Sequence, residues 1–155
     1  MPPMTTIPMQ PIGHVACDVS AQTDADWGAV CSRIVLLPEY REGLLGLDQF
    51  SHLLVVTYLH EAAFAADRHL IRRPRGLASM PRVGIFAQRA KDRPNPIGVT
   101  AVALVSVSAG AVAVRGLDAI DGTPVLDLKP YYPQYDCIED AVVPEWVARL
   151  MEGYF

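Results

Sequence analysis

Residues 98–131 read GVTAVALVSVSAGAVAVRGLDAIDGTPVLDLKPY. Val99, Ala101, Ala103, Val105 and Val107 occupy alternate positions, so they share one face of an extended strand. Ala109–Gly110 interrupts the run and predicts a tight turn, with AVAVRGLD (111–118) as the returning strand. Asp121–Gly122 favours the positive φ angles of a short turn and predicts a second hairpin leading into PVLDLKPY (124–131). A chain that folds back on itself twice within this span is building antiparallel sheet.

Working outward, the same β-type signal recurs in PIGHVACDV (11–19), SRIVLLP (32–38), SHLLVVTYLH (51–60) and RVGIFAQR (82–89). Six or seven short strands with few long helices point to a barrel or a sandwich. The tail differs. Pro144 and Glu145 stand before Trp146, Val147, Leu150 and Met151 at helical spacing, and Gly153 follows, which predicts one short C-terminal helix. LHEAAFAADRHLI (59–71) can hold a helical turn, and LDQFSH (47–52) a turn into the central strand.

A length of 155 residues suits one domain, and 51% hydrophobic against 19% charged residues excludes a disordered chain. No apolar run approaches the roughly 20 residues of a membrane helix; the longest in mid-chain is LLVVTYL (53–59). MPPMTTIPMQ has no positive charge ahead of an apolar block, so no signal peptide is expected. Cys17, Cys31 and Cys137 are odd in number and widely spaced, which predicts free thiols in a reducing cytoplasm.

Net charge is −4, yet eight of the 13 Lys and Arg fall between Arg68 and Arg93 against a single acid, Asp92. Such a local field attracts an anion, and arginine's planar fork matches phosphate or carboxylate. Inside that window QRAKDRPNPIG (88–98) is stiffened by Pro94 and Pro96, each of which also forces the preceding residue into extended angles. Arg89, Arg93 and Asn95 therefore lose little further entropy on binding a ligand, although a rigid connector explains the segment equally well.

Common cofactor and catalytic signatures are missing: no GxGxxG, no phosphate loop, no HExxH, no GxSxG, and no zinc spacing among His14, His52, His60 and His69, so no metal is expected. Two further local features have ordinary structural explanations. Asp118, Asp121 and Asp127 with Lys129 and Tyr131 fit a turn and a strand surface, and His52 fits a hydrogen-bonded residue at a strand start.

Taken in order, GLDQFSHLLVV, RVGIFAQRAKDRPNPIGVTAVAL and GLDAIDGTPVLDLKPYYP, with PIGHV at the front, resemble the TsaA-like, TrmO-type family of S-adenosylmethionine-dependent tRNA methyltransferases, in its short form, over about residues 11–133. The resemblance implies a small closed, mostly antiparallel β-barrel and a homodimer. It also implies methylation of N6 of threonylcarbamoyl-adenosine next to the anticodon of tRNA. Cofactor contacts carry over to Cys17–Val19, Ser51, His52, Arg89, a residue near Val114, and the turn Asp121, Gly122, Thr123 and Pro124. Lys91, Arg93, Asn95 and Lys129 are then left for the RNA.

Those residue types suit the chemistry. Arginine pairs with a carboxylate, and a turn with exposed N–H groups and Thr123 can hold polar groups of the cofactor. Methyl transfer from a sulfonium is a direct displacement, so alignment supplies much of the rate. A base must take the N6 proton, with Asp118, Asp127 and Tyr131 as candidates. The family's first strand ends in a basic-serine-proline step where this chain has ACD, and Gln88 and Ala90 stand where the family has threonine and serine. Longer members add a C-terminal domain that helps to bind tRNA. A methyltransferase acting on another RNA or a small molecule, and a non-catalytic S-adenosylmethionine-binding module, are the alternatives.

Overall fold

The computed structural model describes residues 4–155, so the first three residues of the opening segment lie outside the described residues. The chain builds β1 (Gly13–Ala16), β2 (Cys31–Leu36), β3 (His52–Tyr58), β4 (Ile71–Arg72), β5 (Val83–Gly84), β6 (Ile97–Ser108), β7 (Ala111–Arg115) and β8 (Pro124–Pro130). Six of these close into an antiparallel barrel in the order β1-β2-β7-β6-β3-β8, with β8 returning to β1, while β4 and β5 form a separate two-stranded ribbon. The expected mainly-β closed barrel is the observed fold.

Alternation explains the core. Ile34 and Leu36 of β2, Leu53 and Val55 of β3, Val102 of β6, Val112 and Val114 of β7 and Val125 of β8 point inward and pack with Val15, Leu117 and Ala119. The face of β6 read from the sequence is real along most of its length but turns outward: Val99 and Val105 remain 43% and 59% exposed. A register shift between Leu104 and Ser106 flips the alternation, so Val107 leaves that face and packs on the core. On the neighbouring strand Leu54, Val56 and Tyr58 pair with Ala101, Val99 and Ile97.

One turn is a hairpin and the other is not. β6 and β7 pair across Ala109–Gly110, where Gly110 has φ +85°. Asp121–Gly122 does form a turn with Gly122 at φ +80°, but the strands it separates never pair with each other. β7 pairs with β2 and β6, whereas β8 pairs with β1 and β3. The span 116–123 therefore crosses the barrel end, burying Leu117 and Ala119 on the way.

RVGIFAQR also departs from the expected strand. Only Val83–Gly84 pairs, with Ile71–Arg72; Ile85–Ala87 is a 3-10 turn that buries Ile85. The C-terminal helix forms at Glu145–Met151, and two further single-turn helices appear at Ala66–His69 and Pro133–Asp136. Among the described residues no helix is long and apolar enough to cross a membrane.

Candidate functional site

A cavity of about 960 Å³ opens beside the barrel, within the size range of ligand sites. The 88–98 loop forms one wall through Arg89, Lys91, Arg93 and Asn95. The crossover supplies Asp118 and Thr123, β6 supplies Thr100, and the C-terminal tail closes the far side with Tyr154 and Phe155. Sequence reasoning placed the loop and Asp118 in play separately; the fold puts them around one space.

The loop is held as its prolines suggest. Leu59 N–H donates to the Pro96 carbonyl at 2.7 Å and Ile97 N–H to Asn95 at 2.8 Å. Arg93 donates back to the carbonyls of Gln88 (3.0 Å) and Ala90 (3.4 Å), so this guanidinium braces its own loop. Arg89 is exposed and donates one N–H to the Val99 carbonyl, which leaves most of its fork open. Asp92, the acid in the basic window, bonds Lys91 at 2.7 Å, the Ala63 N–H at 2.9 Å and lies 3.6 Å from Arg72. Burial pushes its carboxyl up, but the bonds from Lys91 and Ala63 and the charges of Lys91 and His69 outweigh that and hold it below the usual carboxylate range.

The turn Asp121–Pro124 borders the cavity, but its N–H groups are not free as expected. Asp121 donates to Val19 (2.7 Å), Gly122 to Val15 (2.8 Å) and Thr123 to Ile120 (3.2 Å). The Thr123 hydroxyl also donates to Ile120, and the residue is only 2% exposed. The crossover spends these donors on docking against β1, which leaves the Asp121 carboxylate to cap the Cys17 N–H at 3.1 Å. Cys17 and Val19 are thereby tied to the turn, with the Cys17 thiol near the carbonyls of Val19 and Ala119. Asp18, between them, is exposed. Pro124 begins β8 opposite His14.

Val114 is fully buried inside the barrel, so its side chain faces the core rather than any ligand. Ser51 and His52 lie at the other end of β3 from the cavity, with Ser51 Oγ 2.7 Å from His52 Nδ1. Tyr131 is there too: its N–H donates to the His52 carbonyl at 3.0 Å and its ring meets the imidazole edge-on. Lys129 and Asp127 pair with each other at 2.7 Å on the outer surface of β8, beside Leu54 and Val56. The Asp127 bond raises the Lys129 pKa. Within one copy, the residues around His52 and those around Thr123 are therefore separated by most of β3, about 17 Å at 3.3 Å per residue.

Cavity residues that sequence reasoning did not reach include Thr100 and Tyr154, while Arg75 belongs to the basic window read from the sequence. Thr100 carried no signal because it sits mid-strand among apolar neighbours. Tyr154 lies past the last helix, where no periodicity assigns a partner.

A closed antiparallel barrel with a cationic loop and a carboxylate around one cavity is a barrel with room for a small ligand, built without the glycine-rich turn of nucleotide-binding sheets. Residues 14–137 match the model of the tRNA-methyltransferase O N-terminal domain, and the chain belongs to that family. A probable S-adenosyl-L-methionine-binding protein of Methanothermobacter thermautotrophicus is 38% identical over 137 residues, covering 85% of this chain and 95% of the relative. The human tRNA (adenine(37)-N6)-methyltransferase is 33% identical over 146 residues, covering 87% of this chain but 32% of the relative. The crystal structure of TrmO from Pseudomonas aeruginosa superposes with a TM-score of 0.77 at 31% identity, over 94% of this chain and 64% of that one. Two more curated relatives are spanned over 55% and 46% of their own length.

Proposed function

We propose that the chain is an S-adenosylmethionine-dependent methyltransferase acting on N6 of threonylcarbamoyl-adenosine beside the anticodon of tRNA. The observation that carries this reading is the arrangement of Arg89, Lys91, Arg93 and Asn95 opposite Asp118 and Thr123 around one cavity. The donor set fits the cofactor: the open fork of Arg89 suits its carboxylate, and the Asp118 side of the same cavity is left for the methyl acceptor. Bound there, the cofactor supplies a methyl group on a sulfonium. The chain's own task is to hold donor and acceptor in line and to keep the loop from moving.

The reading includes a homodimer. Tyr58, Val99 and Val105 leave an apolar strip exposed on the outside of β3 and β6, and Val99 also lines the cavity. A second copy against this strip covers apolar surface and offers a way to bring one copy's Ser51, His52 and Tyr131 toward the other's loop. Lys91 and Lys129, with the arginines of the basic window, remain for RNA phosphates, which makes binding salt-dependent.

A second reading, a cofactor-binding module without transfer, is favoured by one fact: the relative matched over nearly its whole length is named only as a probable binding protein. Calorimetry with S-adenosylmethionine, followed by incubation of labelled cofactor with tRNA from a strain lacking the modification, separates the two. Heat together with label in tRNA supports the methyltransferase; heat without label in any RNA supports the module. No heat removes both.

A further inference from the structure

The C-terminal tail, which lies beyond the residues matched by the family model, is built into the cavity wall. Asp26 N–H donates to the Gly153 carbonyl at 3.0 Å and Trp27 N–H to the Tyr154 carbonyl at 2.8 Å. Gly28 has no Cβ, and one placed there would lie 2.6 Å from the Phe155 carbonyl carbon, so the close approach needs glycine. The Arg75 guanidinium lies 5.4 Å from the centre of the Tyr154 ring and 3.6 Å from Asp24. Thus the ring is placed by backbone, by stacking and by charge.

This placement fixes a direction of hydrogen bonding. Tyr154 Oη donates to Asp118 Oδ2 at 2.6 Å, and Thr100 Oγ1 donates to Asp118 Oδ1. An ionised carboxylate only accepts, and a phenol and a threonine hydroxyl have one proton each. Both protons are committed to Asp118, so what the three side chains still offer is lone pairs. All three line the cavity. This wall therefore accepts hydrogen bonds, whereas the wall of Arg89 and Lys91 donates them. Burial, with the Asp118 hydrogen bond and charge, pushes the Tyr154 pKa up, so its phenol keeps its proton throughout the neutral range.

We propose that Thr100, Asp118 and Tyr154 form the subsite that recognises the exocyclic N–H of the methyl acceptor and removes its proton. This rests on the methyltransferase reading above and selects Asp118 among its candidate bases. An adenine-type N–H matches an acceptor wall; a base with a carbonyl at the same place meets lone pairs and is rejected. In transfer, the methyl carbon–sulfur bond breaks as the nitrogen–carbon bond forms, and the sulfur keeps the electron pair as a thioether. The nitrogen's proton passes to the Tyr154 oxygen while the phenol's own proton passes to Asp118 Oδ2. Tyr154 is neutral before and after, and Asp118 later releases the proton to water. Thr100 is a positioning residue, holding the second carboxylate oxygen.

The test is a titration of the full chain, without cofactor, against an anticodon stem–loop RNA carrying threonylcarbamoyl-adenosine 3′ of the anticodon, either unmethylated or already methylated at N6. The methylated form lacks the N–H. The wild-type chain is expected to prefer the unmethylated form by about tenfold, the value of one hydrogen bond to a charged network. Tyr154→Phe keeps the ring, the Arg75 contact and the backbone bonds, and is expected to lose the preference. With cofactor it is expected to slow single-turnover transfer by about 100-fold. Asp118→Asn gives a second variant with the same expected loss of preference, should the first unfold. A folded Tyr154→Phe that still prefers the unmethylated form, or a wild type that binds both RNAs equally, overturns the inference and leaves the tRNA reading standing. A wild type that binds neither RNA overturns that reading and this inference with it.

Discussion

Asp92 shows how a single acid can hold a cationic wall together. It is 14% exposed at the side chain and takes bonds from Lys91 and from the Ala63 backbone while facing Arg72. Its folded-state pKa lies below the ordinary 3.8. The stabilisation is therefore complete above that value and is lost as the pH falls through the lower folded value. Asp92→Asn is expected to cost about 1 kcal/mol at neutral pH, with the gap to wild type narrowing as the pH falls below the ordinary carboxylate range, measured by urea unfolding across that range. Arg89 differs because its fork is exposed and bonded only to one carbonyl. Arg89→Ala is expected to weaken S-adenosylmethionine binding about tenfold at unchanged unfolding temperature, and equal affinity by calorimetry removes it from the site. Arg89 was singled out by the family resemblance, since the proline-braced basic string alone fits a rigid connector equally well, and in the fold it lines the cavity. Thr123 was only half legible: the sequence marks the turn, but not that its hydroxyl and N–H are used up inside the fold.

At the scale of elements, the strands were readable wherever alternation and burial agree, as in β2 and β3. Failure came where partner choice overrides a local signal. Asp-Gly encodes a turn, and a turn forms, but pairing is set by which strands are left to close the barrel. Similarly, apolar alternation in β6 does not say which side is inside, because the break after Leu104 depends on fitting β7. RVGIFAQR has strand composition, yet its Ile85 is better buried by a 3-10 turn over the ribbon. The tail was invisible for another reason: its partners, residues 26–28, lie more than a hundred positions away. Gly28→Ala is expected to push Tyr154 and Phe155 off that loop. Faster trimming of the last residues by a carboxypeptidase, with the barrel's circular dichroism unchanged, is the readout, and trimming at the wild-type rate removes the close approach from the account.

For the whole molecule, the exposed strip of β3 and β6 makes a prediction about mass. The wild-type chain is expected to run as a dimer in light scattering, and Val99→Glu, which leaves the backbone carbonyl used by Arg89 in place, to run as a monomer. A wild-type monomer at high concentration removes the second copy from the proposal. The barrel's closure has a consequence of a different kind. Its final seam joins the first strand to the last, Gly13 opposite Val125. The same last strand also gives β3 its second neighbour, but the β1 seam closes the longer stretch of chain, and neither edge is covered until residues 124–130 have been made. Bringing such distant segments together costs chain entropy before any contact repays it. The ring should thus close late and slowly, with β1 left one-sided in the meantime, so refolding is expected to show the seam's amide protons becoming protected after those of the β6–β7 hairpin. A protein whose cavity is walled partly by the β8 approach acquires that cavity as the last act of its folding.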